Sequence, residues 1–184
     1  MIAVLFARTD SRYKDFPIYD VYDINRDARG FNADYPVIAH PPCRAWGQLS
    51  HMANPRPDEK DLAWFAIEKV RQNGGVLEHP KASRFFKEAG CPNVDEGYDE
   101  YGGFTILVDQ FDFGHVAHKN TKLYICGIKI EELPELPPKN LNSTDRSNCG
   151  NVKGTKRCTQ YQREYTPDGL IEFLTKICER IKND

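Results

Sequence analysis

The chain has 184 residues, of which 40% are hydrophobic and 28% charged, a balance typical of a globular protein and not of a disordered one. A formal net charge of −2 argues against a protein that binds nucleic acid through its overall charge. No apolar run approaches the roughly 20 residues that a membrane-spanning helix needs, and the first residues lack the basic stretch of a secretory signal. We expect a single domain over residues 1–184, with no membrane partner.

Apolar runs rich in β-branched and aromatic residues predict six strands. They cover residues 2–7, 18–23, 36–40, 75–77, 104–111 and 122–128. Apolar residues at helical spacing predict helices over 58–72, 83–89 and 167–181, the last of which closes the chain. Strands that alternate with helices predict an α/β fold with a mainly parallel sheet flanked by helices.

The stretch 131–166 is rich in Pro, Asn, Gly and Lys, and it is predicted to form an inserted surface loop. Within 139–163 it has six basic residues and one acidic residue, Asp145. The basic residues are Lys139, Arg146, Lys153, Lys156, Arg157 and Arg163. Such a cluster indicates either a loop that contacts phosphates or a solvated surface loop, and the sequence favours neither.

The cysteines are spread along the chain without a C-x-x-C pair, at Cys43, Cys91, Cys126, Cys149, Cys158 and Cys178. This spacing indicates neither a zinc ribbon nor a redox dithiol, and no metal site is expected. Cysteines without a pairing pattern are typical of a reducing compartment, so the cytoplasm is the expected location.

Two predicted strands end in unusual residues. One leads into Pro41-Pro42-Cys43, and the other ends on Glu78-His79-Pro80. In open α/β sheets the functional residues lie just beyond the carboxyl ends of the strands. A cysteine on a stiff loop beside a carboxylic acid suits nucleophilic attack on an electron-poor ring, with the acid handling a ring proton. The alternative is that Cys43 is a small packing residue and Glu78 an acid at a helix start.

Four segments carry patterns that occur together in one known family. They are His40-Pro41-Pro42-Cys43 with Trp46 and Ser50 after it, Gly75-Val76-Leu77-Glu78-His79-Pro80, Gly114-His115 with Lys119-Asn120-Thr121-Lys122-Leu123-Tyr124-Ile125 and Gly127, and Arg163-Glu164-Tyr165-Thr166-Pro167 before an apolar helix. In this order they resemble the C5-cytosine DNA methyltransferases, and in particular the short, divergent members found in bacteriophages. The resemblance implies a truncated Rossmann-like methyltransferase fold, working in the cytoplasm of a bacterial host.

The resemblance also implies roles for individual residues. Cys43 would attack C6 of a cytosine, Glu78 would contact N3, and Lys122 would orient Glu78 or the base. S-adenosylmethionine would supply the methyl group. Phe6 and Pro41 would border this cofactor, and Asp23 would bind its ribose. The residues expected against the substrate are Pro42, Trp46, His79 and Lys119. The substrate would be cytosine flipped out of DNA, or a free pyrimidine nucleotide or short single strand.

Three departures from the family pattern support a second hypothesis. The residues after the first strand, Arg8-Thr9-Asp10-Ser11-Arg12, contain no glycine, which usually permits close backbone approach to the cofactor. Only residues 24–40 separate Asp23 from the Pro-Cys loop, and His79 replaces an asparagine. The second hypothesis is a non-catalytic protein that binds a nucleotide, or that binds a host protein to counter host defence. Arg8 and Arg12 would suit phosphate binding in that case.

Overall fold

The structure, a computed structural model, describes residues 1–47, 50–140 and 158–182, and the backbone alone of 147–148 and 156–157. Its main sheet has six strands in the order β2-β1-β3-β4-β6-β5. The strands are β1 (Ile2–Leu5), β2 (Tyr19–Val21), β3 (Val37–Ala39), β4 (Gly75–Pro80), β5 (Phe104–Asp109) and β6 (Asn120–Cys126). The first four are parallel, and β6 runs antiparallel to both of its neighbours. The six predicted strands and the predicted α/β class are confirmed.

The helices are α1 (Glu59–Asn73), α2 (Phe85–Glu88), α3 (Gln160–Glu164) and α4 (Asp168–Glu179). Two further strands, β7 (Ser147–Asn148) and β8 (Lys156–Arg157), form a short parallel pair. The three predicted helices are confirmed. The prediction of a continuous loop over 131–166 is wrong at α3, where Thr159 and Gln162 form a capping box that starts a helix. No helix in the described parts of the chain is long and apolar enough to cross a membrane.

The sheet is covered on both faces, because its strands carry apolar residues on alternate sides. Ala3, Leu5 and Leu77 belong to the buried cluster on the side of α1. Val4 and Val76 belong to the cluster on the side of α4. The result is a three-layer arrangement, Rossmann-like in its parallel half, whose strand ends remain open at one edge.

The connections on either side of β2 are short. Between β1 and β2 the regular structure is a 3-10 helix at Arg12–Asp15, and between β2 and β3 it is another at Ala28–Gly30. Aromatic side chains cover the sheet where a longer connection would place a helix, with Phe31 packed edge-on against both Tyr22 and Tyr35. The short connections leave the carboxyl ends of β1 and β3 accessible.

Candidate active site

A cavity of about 730 Å³ lies at the carboxyl ends of β1, β3 and β4. Phe6 follows β1, His40 follows β3, Glu78 lies within β4, and all three residues line the cavity. Parallel register pairs Ala39 with Leu77, so the next residues, His40 and Glu78, come side by side. The edge of the sheet where ligands bind in α/β proteins is therefore occupied by ionisable side chains.

Cys43 reaches this cavity on a short, braced loop. Pro41 and Pro42 restrict the backbone as it leaves β3, and the Cys43 carbonyl accepts hydrogen bonds from the backbone N–H groups of Trp46 and Gly47 at 3.0 and 3.1 Å. The next side chain, Arg44, makes a two-point contact with the carboxylate of buried Glu59 at 3.0 and 2.6 Å. This contact ties the loop to the first turn of α1.

Cys43 is an exposed residue, yet the surrounding protein changes the acidity of its thiol. Desolvation by neighbouring atoms raises its pKa, the negative charge of Glu78 raises it further, and the positive charge of Lys119 opposes both effects. The thiol form is therefore favoured in the free protein. A ligand that neutralised the charge of Glu78 would favour the reactive thiolate.

Glu78 is held as a carboxylate by its neighbours. Its Oε2 lies 3.0 Å from His40 Nδ1, and its Oε1 accepts a hydrogen bond of 3.0 Å from Gln110 Nε2. Burial favours the neutral acid, but the charge of Lys119 and the contact with His40 outweigh burial and lower the pKa of Glu78 to about 2. Glu78 is therefore ionised near neutral pH.

Four residues of this network have no role predicted from the sequence: His40, Tyr13, Gln110 and Thr121. His40 Nε2 lies 3.2 Å from the hydroxyl of Tyr13, whose pKa burial raises well above its ordinary value. On the other side, Gln110 Nε2 donates to Thr121 Oγ1 at 2.9 Å. His40 stands in the Pro-Pro-Cys motif and could have been found there. Tyr13 and Gln110 have no local signal, because their contacts join distant parts of the chain.

The residues expected at the cofactor, Phe6, Asp23 and Pro41, all line the cavity. Asp23 is buried, and its Oδ1 accepts hydrogen bonds from the backbone N–H groups of Asn25 and Arg26 at 2.8 and 3.1 Å. Its Oδ2 pairs with Lys14, which lowers the pKa of the carboxyl group. A ribose hydroxyl at Asp23 would have to share the carboxylate with Lys14.

Phe6 adopts a backbone conformation usually reserved for glycine. Its φ is +63°, in the left-handed region that costs a residue with a Cβ atom roughly 1–2 kcal/mol. The chain thus turns sharply after β1 without a glycine in Arg8-Thr9-Asp10-Ser11-Arg12. Strain of this kind is common where a backbone is shaped around a ligand.

Of the residues expected at the substrate, Pro42, His79 and Lys119 line the cavity, and Trp46 does not. Only 2% of Trp46 is exposed, because the 3-10 turn after Cys43 points its ring inward against Trp64 and Phe85. This position differs from the expected contact with a base: Trp46 belongs to the packing beneath the loop.

Lys122, expected to orient Glu78, is also outside the cavity. It pairs with His79 across the antiparallel ladder, and its Nζ lies 5.5 Å from the centre of the Phe86 ring. Successive strand residues point to opposite faces, so Lys122 shares a face with His79 and not with Glu78. Lys119, just before β6, brings the positive charge to Glu78 instead.

His79 is almost wholly buried between the site and α2. Its Nδ1 lies 2.7 Å from Ser83 Oγ, and its Nε2 has no hydrogen-bond partner among the described residues. Burial lowers its pKa to about 4, although Glu78 and the carbonyl groups of Pro42 and Pro41 favour the charged ring. His79 is therefore neutral at physiological pH and packs beneath the Pro-Cys loop.

The C-terminal segment forms one wall of the cavity. Arg8 pairs with Glu164 at 2.8 Å and lies over the ring of Tyr161, which brings α3 onto the loop after β1. Arg8 also pairs with Asp10, and Arg12 pairs with Asp168. Both arginines expected to suit a phosphate therefore have carboxylate partners already.

Part of the basic loop lies outside the described residues, including Arg146, Lys153 and the side chains of Lys156 and Arg157. The same holds for Cys149. Within the described part, Arg163 lines the cavity.

A comparison of the chain with models of known protein families finds no match, and a comparison with curated protein sequences finds none either.

Proposed function

We propose that this protein is a methyltransferase-type enzyme that acts on C5 of cytosine through a covalent adduct at Cys43. The observation that carries the proposal is the placement of Cys43 and Glu78 in one cavity, with the charge of Lys119 acting on both. A nucleophile, a carboxylate that can accept a hydrogen bond from a protonated ring nitrogen and a cation, all lining one cavity, suit addition to a pyrimidine.

The proposed reaction adds Cys43 Sγ to C6 of the base, which makes C5 nucleophilic. The thiol proton would pass through solvent to N3 of the ring, the N3–H would donate to the ionised carboxylate of Glu78, and the ammonium group of Lys119 would stabilise negative charge that develops on the ring. After C5 has received a methyl group, water would take the C5 proton as the S–C6 bond breaks, and the departing thiolate would take up the N3 proton, which releases the product and regenerates the thiol. Cytosine in DNA and a free pyrimidine nucleotide both have the ring that this chemistry needs.

The methyl group would come from S-adenosylmethionine. Phe6, Asp23 and Pro41 support this cofactor, because a buried carboxylate that lines the same cavity as two apolar rings suits ribose hydroxyls and an adjoining hydrophobic group. The left-handed turn at Phe6 supplies the sharp bend that a glycine would otherwise permit. Lys14 would have to move from Asp23 or share it.

The pairing of Lys14 with Asp23 is also the observation that favours the second candidate function. If Lys14 keeps that carboxylate engaged, the cavity would bind a nucleotide or base without methyl transfer, as a non-catalytic protein. Such a protein would act by sequestering its ligand or by contacting a host protein. Binding without an adduct at Cys43 is its distinguishing property.

Incubation with DNA or nucleotide that contains 5-fluorocytosine, with and without S-adenosylmethionine, tests the proposal. The expected result is a mass increase on the peptide that contains Cys43, lost in Cys43→Ser and retained in Cys91→Ser, whose cysteine lies outside the cavity. If no adduct forms under either condition and calorimetry detects no binding of S-adenosylmethionine, the enzyme proposal is wrong. Ligand binding without an adduct would support the second candidate.

A further inference from the structure

Each of the two oxygens of Glu78 has its own protein partner. Gln110 Nε2 donates to Oε1 at 3.0 Å, and His40 Nδ1 lies 3.0 Å from Oε2. We infer that Gln110 and His40 are positioning residues that fix the plane of the Glu78 carboxylate toward the substrate. The inference rests on the proposed function and deepens it, because it assigns roles to two side chains that do not attack the base themselves.

The orientation of the Gln110 amide follows from its surroundings. Thr121 Oγ1 donates its only proton to the carbonyl of Lys119 at 3.1 Å, so its oxygen can only accept from Gln110. The group that faces Thr121 is therefore the NH₂ of Gln110. The second hydrogen of that NH₂ points at Glu78 Oε1, which must accept it and hence carries no proton.

Gln110 is fully buried, and its own Oε1 has no hydrogen-bond partner among the described residues. An unpaired buried oxygen is destabilising, so packing alone does not account for this amide. An apolar side chain of the same size would avoid that cost. What the amide contributes is a donor to Glu78, which an apolar residue cannot supply.

His40 completes the arrangement on the other oxygen. With Nδ1–H donating to Glu78 Oε2, Nε2 accepts from the hydroxyl of Tyr13 at 3.2 Å, so each ring nitrogen of His40 has a partner. Each carboxylate oxygen then has one remaining lone pair for a substrate. The same network holds Lys119, whose backbone carbonyl also accepts from the backbone N–H of Gln110 at 3.1 Å.

The test follows the titration of Glu78 by carboxyl-carbon NMR in the free protein, which needs neither substrate nor cofactor. In the wild type the titration midpoint of Glu78 should lie at about pH 2. Gln110→Leu and His40→Phe should each raise the titration midpoint by about one pH unit or more, because a donor to the charged form is lost. His40→Asn, whose amide nitrogen replaces Nδ1, should bring the titration midpoint most of the way back to the wild-type value.

Thr105→Val is the matched control, since the Thr105 hydroxyl is buried and has no hydrogen-bond partner in the described part of the chain. It should leave the midpoint unchanged. Gln110→Asn, which is too short to reach both partners, replaces Gln110→Leu if the latter does not fold. Folded variants at positions 40 and 110 that titrate like the wild type would overturn the inference.

A kinetic readout separates this inference from the proposed function. Gln110→Leu should slow adduct formation with 5-fluorocytosine by about tenfold or more at saturating substrate. The substrate concentration that gives half of the maximal rate should change little. If the wild type forms no adduct while the Glu78 midpoint shifts as expected, the proposed function fails and the positioning of Glu78 stands. If adducts form at equal rates in wild type and variants, the positioning role is wrong and the proposed function stands.

Discussion

At the scale of single residues, the reactivity of Cys43 depends on two neighbouring charges of opposite sign. Glu78 raises the pKa of the thiol and Lys119 lowers it, in addition to the larger effect of desolvation. Because the thiolate is the nucleophile, both charges control the rate at which Cys43 reacts at a given pH. The network around Glu78 therefore also affects the acidity of the Cys43 thiol.

Glu78→Gln should increase the alkylation rate of Cys43 by iodoacetamide at neutral pH by about threefold or more, because a nearby negative charge is lost. Lys119→Met should decrease the rate by a similar factor. Peptide mass spectrometry after timed labelling measures both. Both variants are made with Cys91→Ser, which removes the other partly exposed cysteine among the described residues. A change in the same direction in both variants would contradict this account of the charges.

At the scale of elements, the site depends on the register between β3 and β4. Val37 pairs with Gly75, and this pairing sets His40 beside Glu78 three residues later. A slip of one residue would place His79 opposite His40 and turn the Glu78 side chain to the other face. Gly75 has a φ of +136°, and a Cβ atom there would lie 1.9 Å from the carbonyl oxygen of Val37.

Gly75→Ala should therefore lower the free energy of unfolding by about 3 kcal/mol or more, because the strands cannot approach without distortion. Gly90→Ala is the matched comparison, since Gly90 also has a positive φ but an added Cβ would meet no atom within 4 Å. Its cost should be about 1 kcal/mol. Urea unfolding measures both values, and equal costs would show that the close approach at Gly75 is unimportant.

At the scale of the whole molecule, His79 and Glu78 are two of the buried groups that make stability depend on pH. Burial lowers the pKa of His79 from 6.5 to about 4, so the unfolded chain takes up a proton in that window while the folded chain does not. Its contribution is complete above pH 6.5 and is lost as the pH falls to about 4. For Glu78, burial raises the pKa, but Lys119 and His40 outweigh burial and lower the pKa from 4.5 to about 2. Its contribution to stability is therefore lost as the pH falls from 4.5 to about 2.

Wild-type protein should lose about 3 kcal/mol of unfolding free energy between pH 6.5 and 4 through His79, since one pKa unit corresponds to about 1.4 kcal/mol. His79→Asn should remove that slope and leave the loss below pH 4.5 to which Glu78 contributes. Urea unfolding at a series of pH values measures the slopes. His51→Asn, at an exposed position, is the control and should retain the wild-type slope. A slope unchanged in His79→Asn would contradict the assignment.

Apart from the residues that the family resemblance implied, the sequence by itself determined the strands, the main helices and two residues of the site. Apolar periodicity marks the layers because burial against a sheet or a helix needs a regular spacing of apolar side chains. Cys43 and Glu78 could be placed at strand ends because Pro41-Pro42 interrupts one strand and a polar residue follows the apolar run of the other. These are local properties, expressed within a few neighbouring residues.

The tertiary structure decided which lysine approaches Glu78, where Trp46 points and which side chains hold the acid. Lys119 and Lys122 are close in the chain, and only the antiparallel pairing of β6 with β4 places Lys122 on the face of His79. Tyr13 and Gln110 reach the site from elements 27 and 32 residues away from their partners. Contacts of this kind depend on how distant segments pack, and no local pattern encodes them.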